Sequence, residues 1–279
     1  MIRFSDSLIN YLFHKKIHSK IMTFISPNPN HYSKNSFKKP LRLEKSQTFN
    51  QNGYIVWEGL SPLDQKPIVM IATGFKTKSQ NSKTGGDMIQ TFIVRQDVPP
   101  KVAFENGEGF SVCGDCCHAK YNNPKENGFD PCYVFVGRSV LSVWRAYRAN
   151  RYQHLNGDYS KFANRGLRLG SFGDPSVVNK EVILKMVASA KYHTGYTHQW
   201  RQPFAQHLKG LVMASADGMR DYIESTANGW KPFHVRKSTD AIPQGAVMCP
   251  SSKEANRVSS CDACKLCSGD KIGVSIIAH

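Results

Sequence analysis

Cysteine is the residue type whose placement in this chain most plainly points to chemistry. Near the C-terminus, Cys249 is followed by Pro250, and eleven residues separate it from Cys261, which opens the run CDACKLC with Cys264 and Cys267. A CxxC turn puts both sulfurs on the same side of a tight loop. Four thiolates at this spacing can therefore close round one tetrahedral zinc ion or one [4Fe–4S] cluster. The CxxCxxC run leans toward iron–sulfur, because structural zinc more often uses two separated CxxC pairs. An earlier run, CGDCCHAK, supplies Cys113, Cys116, Cys117 and His118, and Cys132 arrives fifteen positions after Cys117. Three sulfurs from Cys113, Cys116 and Cys132 can hold a cluster with one iron left open, or His118 can complete a zinc site. Cys117 and His118 follow directly on Cys116, so one of the two is expected to point away. The two sets can form separate sites, or a single one if their loops meet.

Several other residues have types suited to binding or proton transfer. Asp174 in GSFGDPS and Asp217 in SADGMRD, with His198, are candidates for acid and base work. Asp174 precedes Pro175, so it serves equally well as a helix N-cap, and Gly218 after Asp217 supports a tight turn. The run HTGYTHQWRQPF sets His193, His198, Gln199, Trp200 and Arg201 near one strand end. There they can bind a planar polar ligand, or simply pack with polar tips outward. Gln199, Trp200 and Arg236 are the cofactor-binding candidates. No Walker loop, GxGxxG, HExxH or GxSxG is present.

Elements must bring these residues together. Apolar runs at 67–74, 88–95, 132–137, 167–174, 195–200, 211–217, 231–237, 246–250 and 272–279 read as strands. Helical patterns at 139–152, 175–191, 202–209 and 218–228 alternate with them. Strands alternating with helices imply parallel crossovers, so the expected fold is α/β: an open sheet, or a complete or partial (β/α) barrel, with a C-terminal cysteine-cluster loop. In either architecture ligands gather beyond the carboxyl ends of the strands. Asp174, His198, Gln199, Asp217, Arg236, Cys249, Glu254 and His279 all fall at or just past such ends.

Composition sets the remaining bounds. The 279 residues carry 37 Lys and Arg against 21 acids, a net charge of +16, which favours an anionic partner such as nucleic acid or a nucleotide. An ordinary basic surface is the competing reading, because no compact Lys/Arg run falls beyond the first 48 residues. Residues 1–48, with nine Lys/Arg and two acids, read as a basic disordered arm or linker, and 49–279 as a single α/β domain. The first residues loosely suit a transit peptide, and Met22 is a second possible start. No apolar run approaches the ~20 residues needed to span a bilayer. Eight cysteines in two tight groups favour metal binding in a reducing, cytoplasmic compartment over a disulfide framework.

The series GDMIQTFIVR, VCGDC, CYV, RLGSFGDPS, TGYTHQW, then CP, CDACKLCSG and IIAH resembles a family of cysteine-rich proteins encoded by bacteriophages and bacteria, over roughly residues 67–279. For a phage-encoded chain that compartment would be the host cytoplasm. The family carries over no activity. More distantly, the arrangement is similar to phage proteins with a radical-SAM-like barrel. That likeness implies a cluster on Cys113, Cys116 and Cys132 whose open iron binds S-adenosylmethionine, and an auxiliary cluster on the late four cysteines. Two departures stand against it: the pattern CxxxCxxC is absent, and no Gly-Gly-Glu strand end is present.

Three functions are therefore expected to compete. The first is an iron–sulfur enzyme acting on a nucleotide, nucleic acid or other polar substrate, and the second a zinc-stabilised nucleic-acid-binding protein without catalysis. The third is a barrel enzyme using Asp174, Asp217 and His198, with structural metals only.

Overall fold

The computed structural model describes residues 49–77, 86–119, 132–256 and 259–278. The expected arm over 1–48 and the terminal His279 lie outside them. The chain divides into units at 1–46 and 47–279, and every described residue belongs to the second.

That unit is built on one ten-stranded sheet. β1 (Gly53–Leu60), β2 (Pro67–Thr73) and β3 (Met88–Arg95) form an antiparallel meander, with the two-residue β4 (Gln153–His154) beside β1. From β3 onward every pairing is parallel, through β5 (Gly166–Phe172), β6 (Tyr192–Thr197), β7 (Met213–Ala216), β8 (Pro232–Arg236) and β10 (Gly273–Ile277). β9 (Ala246–Met248) lies outermost. The helices are α1 (Pro100–Asn106), α2 (Phe110–Cys113), α3 (Leu141–Arg148), α4 (Lys180–Ser189), α5 (Met219–Ala227) and the single turn α6 (Cys261–Cys264).

The mixed α/β class follows from the sequence, but the sheet does not close into a barrel. Its spatial order runs from β4 at one edge to β9 at the other. The physical reason lies at β3, the first parallel strand, whose outer side is already paired with β2. No free edge remains there to receive β9 or β10.

The apolar runs explain the burial. Ile68, Val69, Met70, Ile71 and Ala72 of β2 are fully buried in succession, as expected of a strand covered on both faces. Ile183 and Met186 of α4 and Val143 and Trp144 of α3 pack into the same core. A second, smaller cluster joins Met213, Val274 and Ile276 to the thiols of Cys249 and Cys267.

Some expected elements differ. Residues 132–137 are not a strand: Cys132 to Val134 form a bend, and a π-helical turn spans Val136–Val140 before α3. Tyr133 and Phe135 stay exposed there, and short apolar runs do not by themselves distinguish strand from helix. The expected helix over 175–191 is a short 3-10 turn at Pro175–Val177, then α4, which starts after the Asn179 side chain caps Glu181 N–H. β6 ends at Thr197, so His198 stands in the turn beyond it. Among the described residues no helix is long and apolar enough to cross a membrane.

Candidate metal centre

The parallel strands and the cysteine loops enclose a cavity of about 410 Å³. Seven of the eight cysteines line it, all except Cys117, and none of the eight is in a disulfide. Its walls are largely apolar, from Phe172, Phe233, Val235, Leu266, Val274 and Ile276.

The late cysteines are positioned by backbone. Cys249 follows β9, and its N–H donates to Ser275 O of β10 at 2.9 Å. Cys261 and Cys264 open and close the single turn of α6, and Lys265 then turns left-handed at φ 55°. Cys267 O accepts Gly195 N–H of β6 at 3.1 Å, and His193 Nε2 meets Ser268 O at 3.2 Å. Gly269, at φ 85°, passes so near Val212 that a Cβ there would lie 2.5 Å from its backbone. Burial pushes the Cys267 thiol up to about 12; a hydrogen bond with Tyr196 opposes this, and Cys249, Cys261 and Cys264 nearby reinforce it.

The early set is built on α2 and the loop after it. Gly114, at φ 55°, packs directly against the buried Gln199 side chain, whose Nε2 donates to Cys113 O at 3.1 Å. Burial raises the Cys113 thiol well above its ordinary value, and Cys116, Cys132 and Asp174 close by raise it further. The cysteines acting on Cys113 are thus early ones and those acting on Cys267 late ones, so two groups of thiols face one cavity.

These thiols fit a metal group. Several crowded, buried thiols are costly to ionise together unless a cation compensates, and a bound metal deprotonates its thiols outright. Among the described residues, the one group of three or more donors within 4.8 Å of one another is Cys117, His118, His198 and Asp217.

Asp174 organises the strand ends beside them. Its carboxylate accepts Ser176 N–H at 3.0 Å, the Thr197 hydroxyl at 2.8 and 3.0 Å, and His198 N–H at 2.8 Å. Both oxygens are therefore taken by donors, and the residue is both the cap and a tie between β5 and β6. Asp217, just past β7, bridges His118 Nε2 at 2.7 Å and His198 Nε2 at 3.1 Å. Burial works against its charge, yet hydrogen bonds from His118 and His198 hold the carboxyl far below the usual range. The bond to Asp217, with a second to the Cys117 sulfur, raises His118 to about 10.

The remaining candidates lie elsewhere. Gln199 supports the early loop from behind, and Trp200 is buried with its indole N–H on Ser215 O at 2.9 Å, under the Arg201 guanidinium. Arg236 is buried on β8 and donates to the carbonyls of Lys237 and Asp240. None of the three lines the cavity. Glu254 Oε1 accepts Ile277 N–H at 2.7 Å, which ties the late loop to β10. Arg168 of β5, which sequence reasoning missed, does line the cavity; its Nε is fully buried without a hydrogen bond, and the Tyr133 hydroxyl is among its neighbours. The available signal was LRL in a sheet covered on both faces, where strand alternation sets Arg168 opposite Leu167 and Leu169.

Comparison with family models, curated proteins and solved structures finds no match to this chain.

Proposed function

We propose that the chain is an iron–sulfur enzyme that holds a small polar or nucleotide-like substrate in the cavity between its two cysteine sets. The single observation carrying this reading is that seven cysteines, from both ends of the described fold, face one largely apolar cavity of about 410 Å³. A structural zinc site is closed by its own four ligands and needs no such space. Ligand cavities of this size are typical of small-molecule sites.

In this reading Cys249, Cys261, Cys264 and Cys267 hold one [4Fe–4S] cluster completely. Cys113, Cys116 and Cys132 hold another with one iron free for a ligand, in keeping with the resemblance to proteins that use S-adenosylmethionine. Bound clusters would supply single electrons to a ligand in the cavity. The chain's own residues do the rest. Apolar walls exclude water, the Arg168 guanidinium offers charge-assisted hydrogen bonds to an anionic group, and Ser171, Thr194 and Ser215 offer hydroxyls. His118, His198 and Asp217 form the polar side of the same cavity.

The test is reduction of anaerobically purified protein in the presence of S-adenosylmethionine. Cleavage by the full chain that is abolished in Cys113→Ser, with the fold retained, supports the reading. Equal cleavage by both proteins refutes the role of the early set.

A further inference from the structure

We infer that Cys117, His118, His198 and Asp217 form a separate mononuclear site for a divalent ion of the zinc class. It does not depend on the two cysteine sets holding iron. One donor atom from each of the four residues lies within 4.8 Å of the others. Both imidazole Nε2 atoms converge on the same carboxylate, His118 on Oδ1 at 2.7 Å and His198 on Oδ2 at 3.1 Å. One thiolate, two imidazoles and one carboxylate make a mixed, borderline-soft donor set that suits Zn²⁺. Zinc bonds of about 2.0–2.3 Å put tetrahedral donors about 3.3–3.8 Å apart, so the 2.7 and 3.1 Å imidazole–carboxylate pairs would open by about half an ångström and any pair near the 4.8 Å limit would close by about an ångström.

Three independent elements bring the donors together. His198 is fixed by its backbone N–H on Asp174, and Asp217 by its backbone N–H on Asp221 Oδ2 at 3.2 Å. Cys117 and His118 arrive from the loop after α2, whose course is set by Gly114 against Gln199. The ion therefore fastens the early cysteine loop to the ends of β6 and β7, joining residues as far apart as Cys117 and Asp217. This assigns the adjacent cysteines Cys116 and Cys117 to different centres. Cys117, not Cys116, belongs to the four-donor group, although Cys116 Sγ lies 3.9 Å from His198 Nε2 and lines the cavity with His118, His198 and Asp217.

The rival account is a carboxylate bridging two protonated imidazoles with no ion. The full chain, first reconstituted anaerobically with iron and sulfide, is loaded with Co²⁺ and dialysed, and cobalt, iron and sulfide are measured. The expected result is one Co²⁺ per chain with tetrahedral d–d bands and a thiolate charge-transfer band. His118→Ala loses that equivalent with iron and sulfide unchanged, and Cys117→Ala loses the charge-transfer band. Cys116→Ser keeps the cobalt, which separates this site from the early set. Circular dichroism confirms that each variant is folded. Cobalt retained in full by folded His118→Ala and Cys117→Ala, or no dialysis-resistant cobalt in the wild-type chain, overturns the site. One Co²⁺ in a chain that takes up no iron leaves this site standing and overturns the iron–sulfur reading alone.

Discussion

The carboxylate of Asp174 holds the backbone N–H of His198 at 2.8 Å, so the residue capping the turn after β5 also fixes the residue that leaves β6. Strand-end chemistry in this fold depends on that bond. His198 can meet Asp217 and Cys116 only because its main chain is already anchored.

Asp174→Ala should therefore destabilise the protein by about 2–4 kcal/mol. It removes a cap worth about 1 kcal/mol and leaves buried donors at Ser176, Thr197 and His198 unpaired. Urea denaturation of wild type and variant measures the difference. A loss under about 0.5 kcal/mol would show that these bonds do not hold the strand ends.

Gly269→Ala tests how the late loop is seated. Its φ of 85° disfavours any side chain, and the new Cβ would stand 2.5 Å from Val212 backbone atoms. The loop must move, so the variant should lose stability and part of its metal content together. Retention of both at wild-type levels would contradict the close approach.

How far the sequence reveals this centre differs from residue to residue. The spacing of Cys261, Cys264 and Cys267 already sets three sulfurs on one loop, because local turn geometry alone decides it. The grouping of Cys113 with Cys116 is local in the same way. Pairing His118 with Asp217 is not, since they lie 99 positions and two crossovers apart and no spacing rule reaches that far. Fold class was legible from alternating strands and helices. The open edge was not, because β1 mixes Tyr, Val, Trp, Glu and Gly without clean alternation. Yet the three-strand antiparallel meander it starts is what pairs the outer side of β3 and prevents closure.

Acid should destabilise the fold before the carboxylates titrate. Burial lowers the pKa of His234, with Arg236 adding to the effect, and burial likewise lowers that of His207. Each binds a proton more weakly when folded than when unfolded. Their contribution to stability is therefore full above the unfolded value of about 6.5 and is lost as pH drops below it. Thermal melts across that range should show the loss, and it should be smaller in His234→Gln. A flat profile, or an equal loss in that variant, would contradict the assignment.

The most direct test of the central claim is the iron and acid-labile sulfide content of the full chain purified without oxygen, alongside Cys113→Ser and Cys261→Ser. The account predicts several irons with matching sulfide in the wild type, and a partial, different loss in each variant. A folded, colourless wild-type protein holding zinc but no iron or sulfide would contradict it.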